Sequence, residues 1–514
     1  MDKTPDDISF PNGYEGANEK SQLTYSLNDN IELFKNKFAN DGTVIYRLFE
    51  NRNASVKYCL IFINGMCNNE VINENIVRPI MDNSEVVDPD SKNLIEIIMN
   101  RILIIGEVVK ESKLDEIIKA LVYGDTILLI DGSNEVLVIN TKGFPVRNIE
   151  EPMSETIVKG PREGFTESVI VNLSLIRKKI RTSDLKFKMK VIGERTKTTI
   201  YICYIEGLAK EEILEELERR LDQIKIDGVI GSGGIEEFIR DEPLSPFATI
   251  GSSERPDTIA GKLLKGRIAI ISDGTPVVLT LPFIFLEQFQ INEDYYDSFF
   301  MASINRLVRI IGFLLTTSVP AIYIALTTFH QEMVPTTLLI GIYQAREGVP
   351  FPTVVEAMLI LFAFEILREA GLRLPKHVGQ AVGIVGALVL GDAAVNANII
   401  SAPMIIVGAI TGISSFLLPQ MLGALIVVRV IFLILSSVLG LYGYIFGVIG
   451  LFIHLMSMKS YGIPYTTNIY PTELKDFQDM AIRSPWWLMN YRTKLIAKDS
   501  LRQKKKKTIR RRVN

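Results

Sequence analysis

The sequence predicts an α+β soluble N-terminal region made of two tandem repeated α/β subdomains. An α-helical multi-span membrane domain and a polar C-terminal tail follow it. Three observations predict this. Residues in the first 300 recur at a constant offset of 142 positions, as a tandem duplication requires. Long uncharged stretches are confined to residues 310–458. Between them, residues 351–374 read FPTVVEAMLILFAFEILREAGLRL, apolar enough for a bilayer yet carrying Glu356, Glu365, Arg368 and Glu369. The expected divisions are a disordered tail at 1–20, subdomain 1 at 21–140, and a linker plus subdomain 2 at 141–290. The membrane domain is expected at 299–458 and a polar basic tail at 459–514.

The bulk composition excludes several classes. With 56 Lys and Arg against 59 Asp and Glu, the net charge of −3 provides no field for nucleic acid. Cys59, Cys67 and Cys203 are too few and too scattered for a disulfide framework or a zinc site, and read as small buried hydrophobes. The first twenty residues are polar and lack the apolar core of a signal peptide. The soluble half is therefore expected to stay on the cytoplasmic side.

The repeat is legible residue by residue. Ile63 and Met66 of INGM correspond to Ile205 and Leu208 of IEGL, Gly124 to Gly266, and the turn Asp131-Gly132 to Asp273-Gly274. Thr24, Ser26, Asn30 and Leu33 correspond to Thr166, Ser168, Asn172 and Leu175, and Asp115, Ile117 and Leu121 to Asp257, Ile259 and Leu263. The units run over about 23–140 and 165–282. Each is expected to begin with a helix (30–38; 172–181) and two strands, at 185–192 and 198–205 in the second unit around a polar GERTK turn. A helix at 211–221 places Ile213, Leu214, Leu217 and Leu221 on one face. A short helix at 114–122 or 256–264 comes next, with Pro256 suited to a first turn because it has no N–H to lose. A hairpin around Asp-Gly closes each unit.

Catalytic chemistry is not evident. The GSGG at 231–234 lacks the Lys-Ser/Thr of a phosphate loop and is expected to be a flexible turn. Glu236 and Glu237 read as a solvated helix face. The three histidines, His330, His377 and His454, lie in or beside the membrane half, so no Ser/His/Asp or Cys/His set assembles in the soluble half. An enzyme is not expected, nor a cofactor or metal.

Residues 310–329 are twenty positions without charge, enough to cross about 30 Å of hydrocarbon. Arg306 and Arg309 precede them, placing that end inside. Residues 333–343, with Pro335, form a re-entrant or interfacial piece, and 351–371 return inward. Residues 377–398 and 402–418 are two further spans, with Gly379, Gly383 and Gly386 at close-packing spacing. Residues 430–458 are uncharged over 29 positions. One tilted helix there gives about five spans; two short helices hinged at the glycines of GLYGYIFG give six. Trp486 and Trp487 suggest an interfacial segment, and the tail basic residues (Arg502, 504–507, 510–512) a solvated or lipid-contacting end.

Nine residues on a straight helix are two and a half turns, so Glu356 and Glu365 face opposite sides. Glu365 with Arg368, Glu369 and Arg373 is expected to form a charge network near the cytoplasmic end. Glu356 shares its side with Thr353, Ile360 and Phe364 and has no base in helical register. In a ring of subunits this face would give an acidic ring above an apolar constriction, the layout of a cation gate. The alternative is that Glu356 pairs with another helix and conducts nothing. Asp392 reads as interfacial.

GSSERPDTIAGKLLKGRIAIISDGTPVVLTLP, REGVPFPTVVEAMLILFAFEILREAGLRLPKHVGQAVGIVGALVLGDAAV and SAPMIIVGAITGISSFLLP closely resemble the A subunit of GerA-type nutrient germinant receptors of endospore-forming bacteria. The resemblance covers roughly 17–487; it departs at Asp392, where the family often has Gln. It implies the spore inner membrane, a transporter-like, nutrient-binding B subunit and a lipoprotein C subunit as partners, and a homo-oligomeric ring that releases cations when a nutrient binds. Three functions remain open: a germinant-gated cation channel subunit, a secondary transporter-type permease, and a non-conducting scaffold for the nutrient-binding partner. The permease fits less well, because the duplication lies in the soluble half and not in the membrane half.

Overall fold

The computed structural model describes residues 22–52, 56–82, 94–143, 155–373, 391–467, 479, 481–499 and 501. The expected disordered tail at 1–20, residues 144–154 of the linker, the glycine run at 379–386 and the basic residues at 502–512 lie outside them.

Two five-stranded antiparallel sheets form the N-terminal region. The first contains β1 (Val44–Glu50), β2 (Lys57–Ile63), β3 (Val108–Glu111), β4 (Thr126–Ile130) and β5 (Val136–Ile139), in the order β1-β2-β4-β5-β3. The second contains β6 (Leu185–Ile192), β7 (Thr198–Ile205), β8 (Gly251–Ser253), β9 (Ile268–Ser272) and β10 (Val278–Leu281), in the equivalent order β6-β7-β9-β10-β8. The central strands read as continuous apolar runs because both faces are covered. Cys59, Ile61 and Ile63 of β2 pack under Phe34 and Leu121, while Tyr58, Leu60 and Phe62 meet Ile76 and Ile98 on the other side. In the second unit Ile213 and Leu217 of helix Glu211–Asp222 cover Ile200 and Ile202, and Ile176 and Ile259 cover Cys203. All three cysteines are buried.

The residues that repeat at 142 positions are those whose bonds the turn geometry needs. The Asn30 side chain accepts from Thr24 N at 2.8 Å and donates to Thr24 O at 2.7 Å; Asn172 does the same with Thr166 at 2.8 and 2.6 Å. Asp131 accepts from Leu27 N at 3.2 Å and Asp273 from Val169 N at 3.1 Å, tying each hairpin turn to the start of its helix. Gly132 and Gly274 follow at φ 84° and 81°, where a Cβ would be strained.

The units are joined by a buried ion pair. Arg177 Nη2 meets Asp41 Oδ2 at 2.5 Å, both side chains being inaccessible, and the guanidinium lies 4.8 Å from the Phe187 ring centre. Two expectations change. The GSGG stretch is not a free turn: Gly231, at φ 84°, caps the helix Ser232–Ile239, whose Ile235 and Ile239 are core. β3 and β8 sit in what reads as irregular chain, each three or four residues long.

Beyond the sheets, a 30-residue helix, Phe299–Thr328, rises away from the second unit. At 1.5 Å per residue it is about 45 Å long, so roughly ten residues remain outside a 30 Å hydrocarbon layer. That surplus carries Arg306 and Arg309. A short helix, Thr336–Arg346, has no buried residue. The acidic helix Thr353–Arg373 and the apolar helix Ala402–Ser415 follow, and then a stretch of 36 helical residues, Leu422–Ser457. The last is not one straight helix. Gly440 breaks it at φ 63°, ψ −140°, and the Phe432 and Tyr444 rings meet at 5.5 Å. In a straight helix those rings would lie about 18 Å apart along the axis, so the chain folds back at Gly440. Each arm is roughly 26 Å long. Among the described residues, Phe299–Thr328 and Pro419–Ser457 are long and apolar enough to cross a membrane.

Both ends of the Gly440 hairpin lie on the side of the sheets. Met421 and Leu425 from one end and Leu455 and Met458 from the other share a core with Phe247, Phe285 and Tyr465. The expected polar tail is also corrected in its described part. Tyr461, Ile463, Tyr465, Met489, Ile496 and Ala497 are buried. Ala497 bridges Ala209, and Lys498 N donates to Leu208 O at 2.9 Å, so the segment wraps onto the second unit.

Candidate functional site

Among the described residues, the buried and half-buried ion pairs of the helical half group into three places. The first is the far end of the acidic helix, remote from the sheets. Glu356 is fully buried; its Oε2 accepts from Ser401 N at 2.9 Å and from Ser401 Oγ at 2.7 Å. Arg346 Nε, at the end of the short helix, stands 3.3 Å from Oε1. Pro352 starts the acidic helix and Ser401 caps Ala402–Ser415, so two helix starts and one helix end converge on this carboxylate.

The face expected to line a pore is covered within the protomer. Thr353 is buried. Ile360 and Phe364 fill notches in helix Ala402–Ser415 where Gly408 and Gly412 lack side chains: a Cβ would lie 2.9 Å from Ile360 Cγ1 and 2.3 Å from Phe364 Cε1. Those glycines, four apart in GAITG, are a small-residue helix contact. Thr353, Glu356, Ile360 and Phe364 thus form a helix–helix seam and not an open face. The base that Glu356 lacks in its own helical register comes from Arg346.

The second group lies about 13 Å nearer the sheets. Glu365 Oε1 accepts from Arg429 Nη2 at 2.7 Å, and Arg368 Nη2 is 2.5 Å from Oε2. Arg429, on the first arm of the hairpin, is buried and escaped the sequence reading. Glu369 and Arg373 form a separate exposed pair at 2.6 Å, so the expected four-residue network divides into two.

The third group fixes the helices to the sheets. Asp294 accepts from Arg306 Nε at 2.9 Å and from both terminal nitrogens of Arg309 at 2.9 Å. Arg306 also reaches Asp479 at 2.8 Å, where Tyr295 Oη at 2.5 Å and Lys265 Nζ at 3.2 Å converge. Burial alone would raise the Asp479 pKa, but the cations Lys265 and Arg306 and the Tyr295 hydroxyl outweigh it, and it is lowered. Arg306 and Arg309 are therefore buried anchors, not solvated flanking charges. Arg483 is buried likewise, donating to Asp297 O at 3.1 Å, while Trp486 and Trp487 stay largely exposed beside Tyr295 and Phe299. Asp392 is exposed.

The Bacillus/Clostridium GerA spore germination protein family matches residues 32–495. The chain belongs to this family. Spore germination protein KA of Bacillus subtilis (strain 168) is 42% identical over 487 residues, covering 94% of this chain and 89% of its own. The uncharacterized membrane protein YfkQ of the same organism is 38% identical over 478 residues, 92% of each chain. The crystal structure of the N-terminal domain of the A subunit of the Bacillus megaterium spore germinant receptor GerK3 covers 52% of this chain and 98% of that one, at 33% identity and a TM-score of 0.42. Membership places this GerA-family chain in spore germination. The match spans both sheets and all three charge groups.

Proposed function

We propose that this GerA-family chain is the A-type subunit of a nutrient-responsive germination receptor in the spore inner membrane, with the two-sheet region on the cytoplasmic side. Copies of it form a ring that passes cations when a germinant binds, in company with a transporter-like B subunit and a lipoprotein C subunit. The observation that carries the reading is the buried Glu356–Arg346 contact. Ionised side chains are costly in a membrane and are kept where they act on ions or partners. In the resting protomer Arg346 neutralises Glu356, and the Gly408–Gly412 seam excludes water from the helix below it. Opening parts the two, and the freed carboxylate then faces a water path along the acidic helix.

Spores carrying Glu356→Gln test this. Germinant-triggered potassium release slows while receptor abundance is unchanged; efflux at the normal rate removes Glu356 from the gate. The closed seam also favours a second reading, a non-conducting scaffold for the nutrient-binding partner. Cation flux through purified oligomers separates the two.

A further inference from the structure

A cavity of about 690 Å³ lies where the second sheet meets the membrane helices. Its walls come from helix Pro256–Leu263, from the segment around Phe283 and Tyr295, from Leu417–Pro419 between the apolar helix and the hairpin, and from Trp486. Four cations line it. Arg255 is paired with Asp257 at 3.0 Å, Lys265 with Asp479 at 3.2 Å, and Arg267 with Glu287. Lys262 has no carboxylate within ion-pair distance among the described residues. Its ammonium donates to Thr280 Oγ1 at 3.0 Å and lies 4.9 Å from the Phe283 ring centre. Gly251 makes room for it, since a Cβ there would stand 2.9 Å from Nζ. Glu155, also in the wall, accepts from Ser253 Oγ at 2.7 Å.

An ammonium withdrawn from water without a counter-ion is costly, and the protein answers by weakening its hold on the proton. Burial pushes Lys262 down to about 8, with Glu287 and Glu155 opposing only in part. An anion arriving beside Nζ removes that cost. The neighbouring wall is apolar, made by Phe283, Leu417, Leu418 and Trp486.

We propose that this cavity binds a small anionic group, a carboxylate or a phosphate, seated on Lys262 with an apolar body against Phe283 and Leu417. A lipid headgroup and a free organic acid share that chemistry, and the position beside the membrane helices admits either.

The test uses the full chain in phosphatidylcholine nanodiscs and reads the acylation rate of Lys262 by mass spectrometry, with exposed Lys119 as internal reference. The probes are butyrate, inorganic phosphate, and phosphatidylglycerol added to the nanodisc. One of them is expected to slow Lys262 acylation at least about ten-fold and leave Lys119 unchanged, since a site filled to ten times its Kd is about 90% occupied. Protection by butyrate or phosphate assigns a free anion; protection by phosphatidylglycerol alone assigns a lipid. The protecting probe is also expected to raise the melting temperature of the natural chain and of Lys262→Arg, but not that of Lys262→Met. Gly251→Ala, which keeps the lysine and crowds its ammonium, is expected to lose protection, and serves if Lys262→Met does not fold. Failure of all three probes to protect Lys262, or an undiminished melting shift in Lys262→Met, overturns the proposal.

Discussion

Replacing Asp294 by Asn keeps the shape of the side chain and removes the charge on which two buried arginines converge. Asp294 is 2% exposed, with three guanidinium contacts at 2.9 Å. Removing one partner of a buried ion pair costs about 3–5 kcal/mol. Arg306 retains Asp479 at 2.8 Å and Arg309 retains Phe289 O at 2.9 Å, so the lower end, about 3 kcal/mol, is expected here. At 1.4 kcal/mol per decade this is roughly a 100-fold rise in local opening. Hydrogen exchange on the full-length protein in nanodiscs reads it directly. Amides of residues 285–297 and 481–499 should exchange about 100-fold faster, while β6 and β7 keep their natural rates. Adding Arg309→Gln should recover part of the loss, because the pair is then removed together. A change under about three-fold, or an equal acceleration in both sheets, would refute the view that this cluster fastens the helices to the second unit.

The fold-back at Gly440 predicts that Tyr442→Cys reacts with a membrane-impermeant thiol reagent only from the side opposite the sheets, and Lys459→Cys only from the sheet side. Reaction of both from the same side would contradict it. Half-buried Lys262, whose pKa is lowered chiefly by desolvation, makes stability depend on pH. Its pKa is lowered in the folded chain, so the penalty is fully present below about 8 and fades between there and the ordinary lysine value near 10.4. Lys262→Met should therefore raise the melting temperature at pH 7 and lose that advantage by about pH 10. A difference that does not change with pH would show that Lys262 folds without a desolvation cost.

What was legible in the sequence was what local pattern dictates. The strands at 185–192 and 198–205 stand where the apolar run and the GERTK turn put them, because each has eight residues and one dominant register. The 142-residue offset foretold equal strand order, since Asn30, Asn172, Asp131 and Asp273 make the same backbone contacts in each unit. β3 and β8 were illegible: three or four residues on a sheet edge, one of them Gly-Ser-Ser, carry too little periodicity. The start of Ser232–Ile239 reads as a turn because glycines fill its first turn, where core contacts of Ile235 and Ile239 override propensity.

The candidate site was half legible. Charges inside an apolar helix announce themselves, and Glu356 and Glu365 do belong to different clusters. Their partners are another matter. Arg346 and Arg429 come from other helices, 10 and 64 positions away, and helical register cannot reveal a contact made across a turn or between spans. The pore-facing expectation for Thr353, Ile360 and Phe364 rested on that register alone, whereas Gly408 and Gly412 in GAITG carried the signal of a packed seam.

Potassium leak from liposomes carrying purified oligomers of the chain bears most directly on the gate. The natural chain should hold its gradient. Arg346→Gln, which strips Glu356 of its cation, should leak, and the Arg346→Gln/Glu356→Gln double variant should hold again. Equal tightness in all three would mean that the contact between Arg346 and Glu356 guards no ion path.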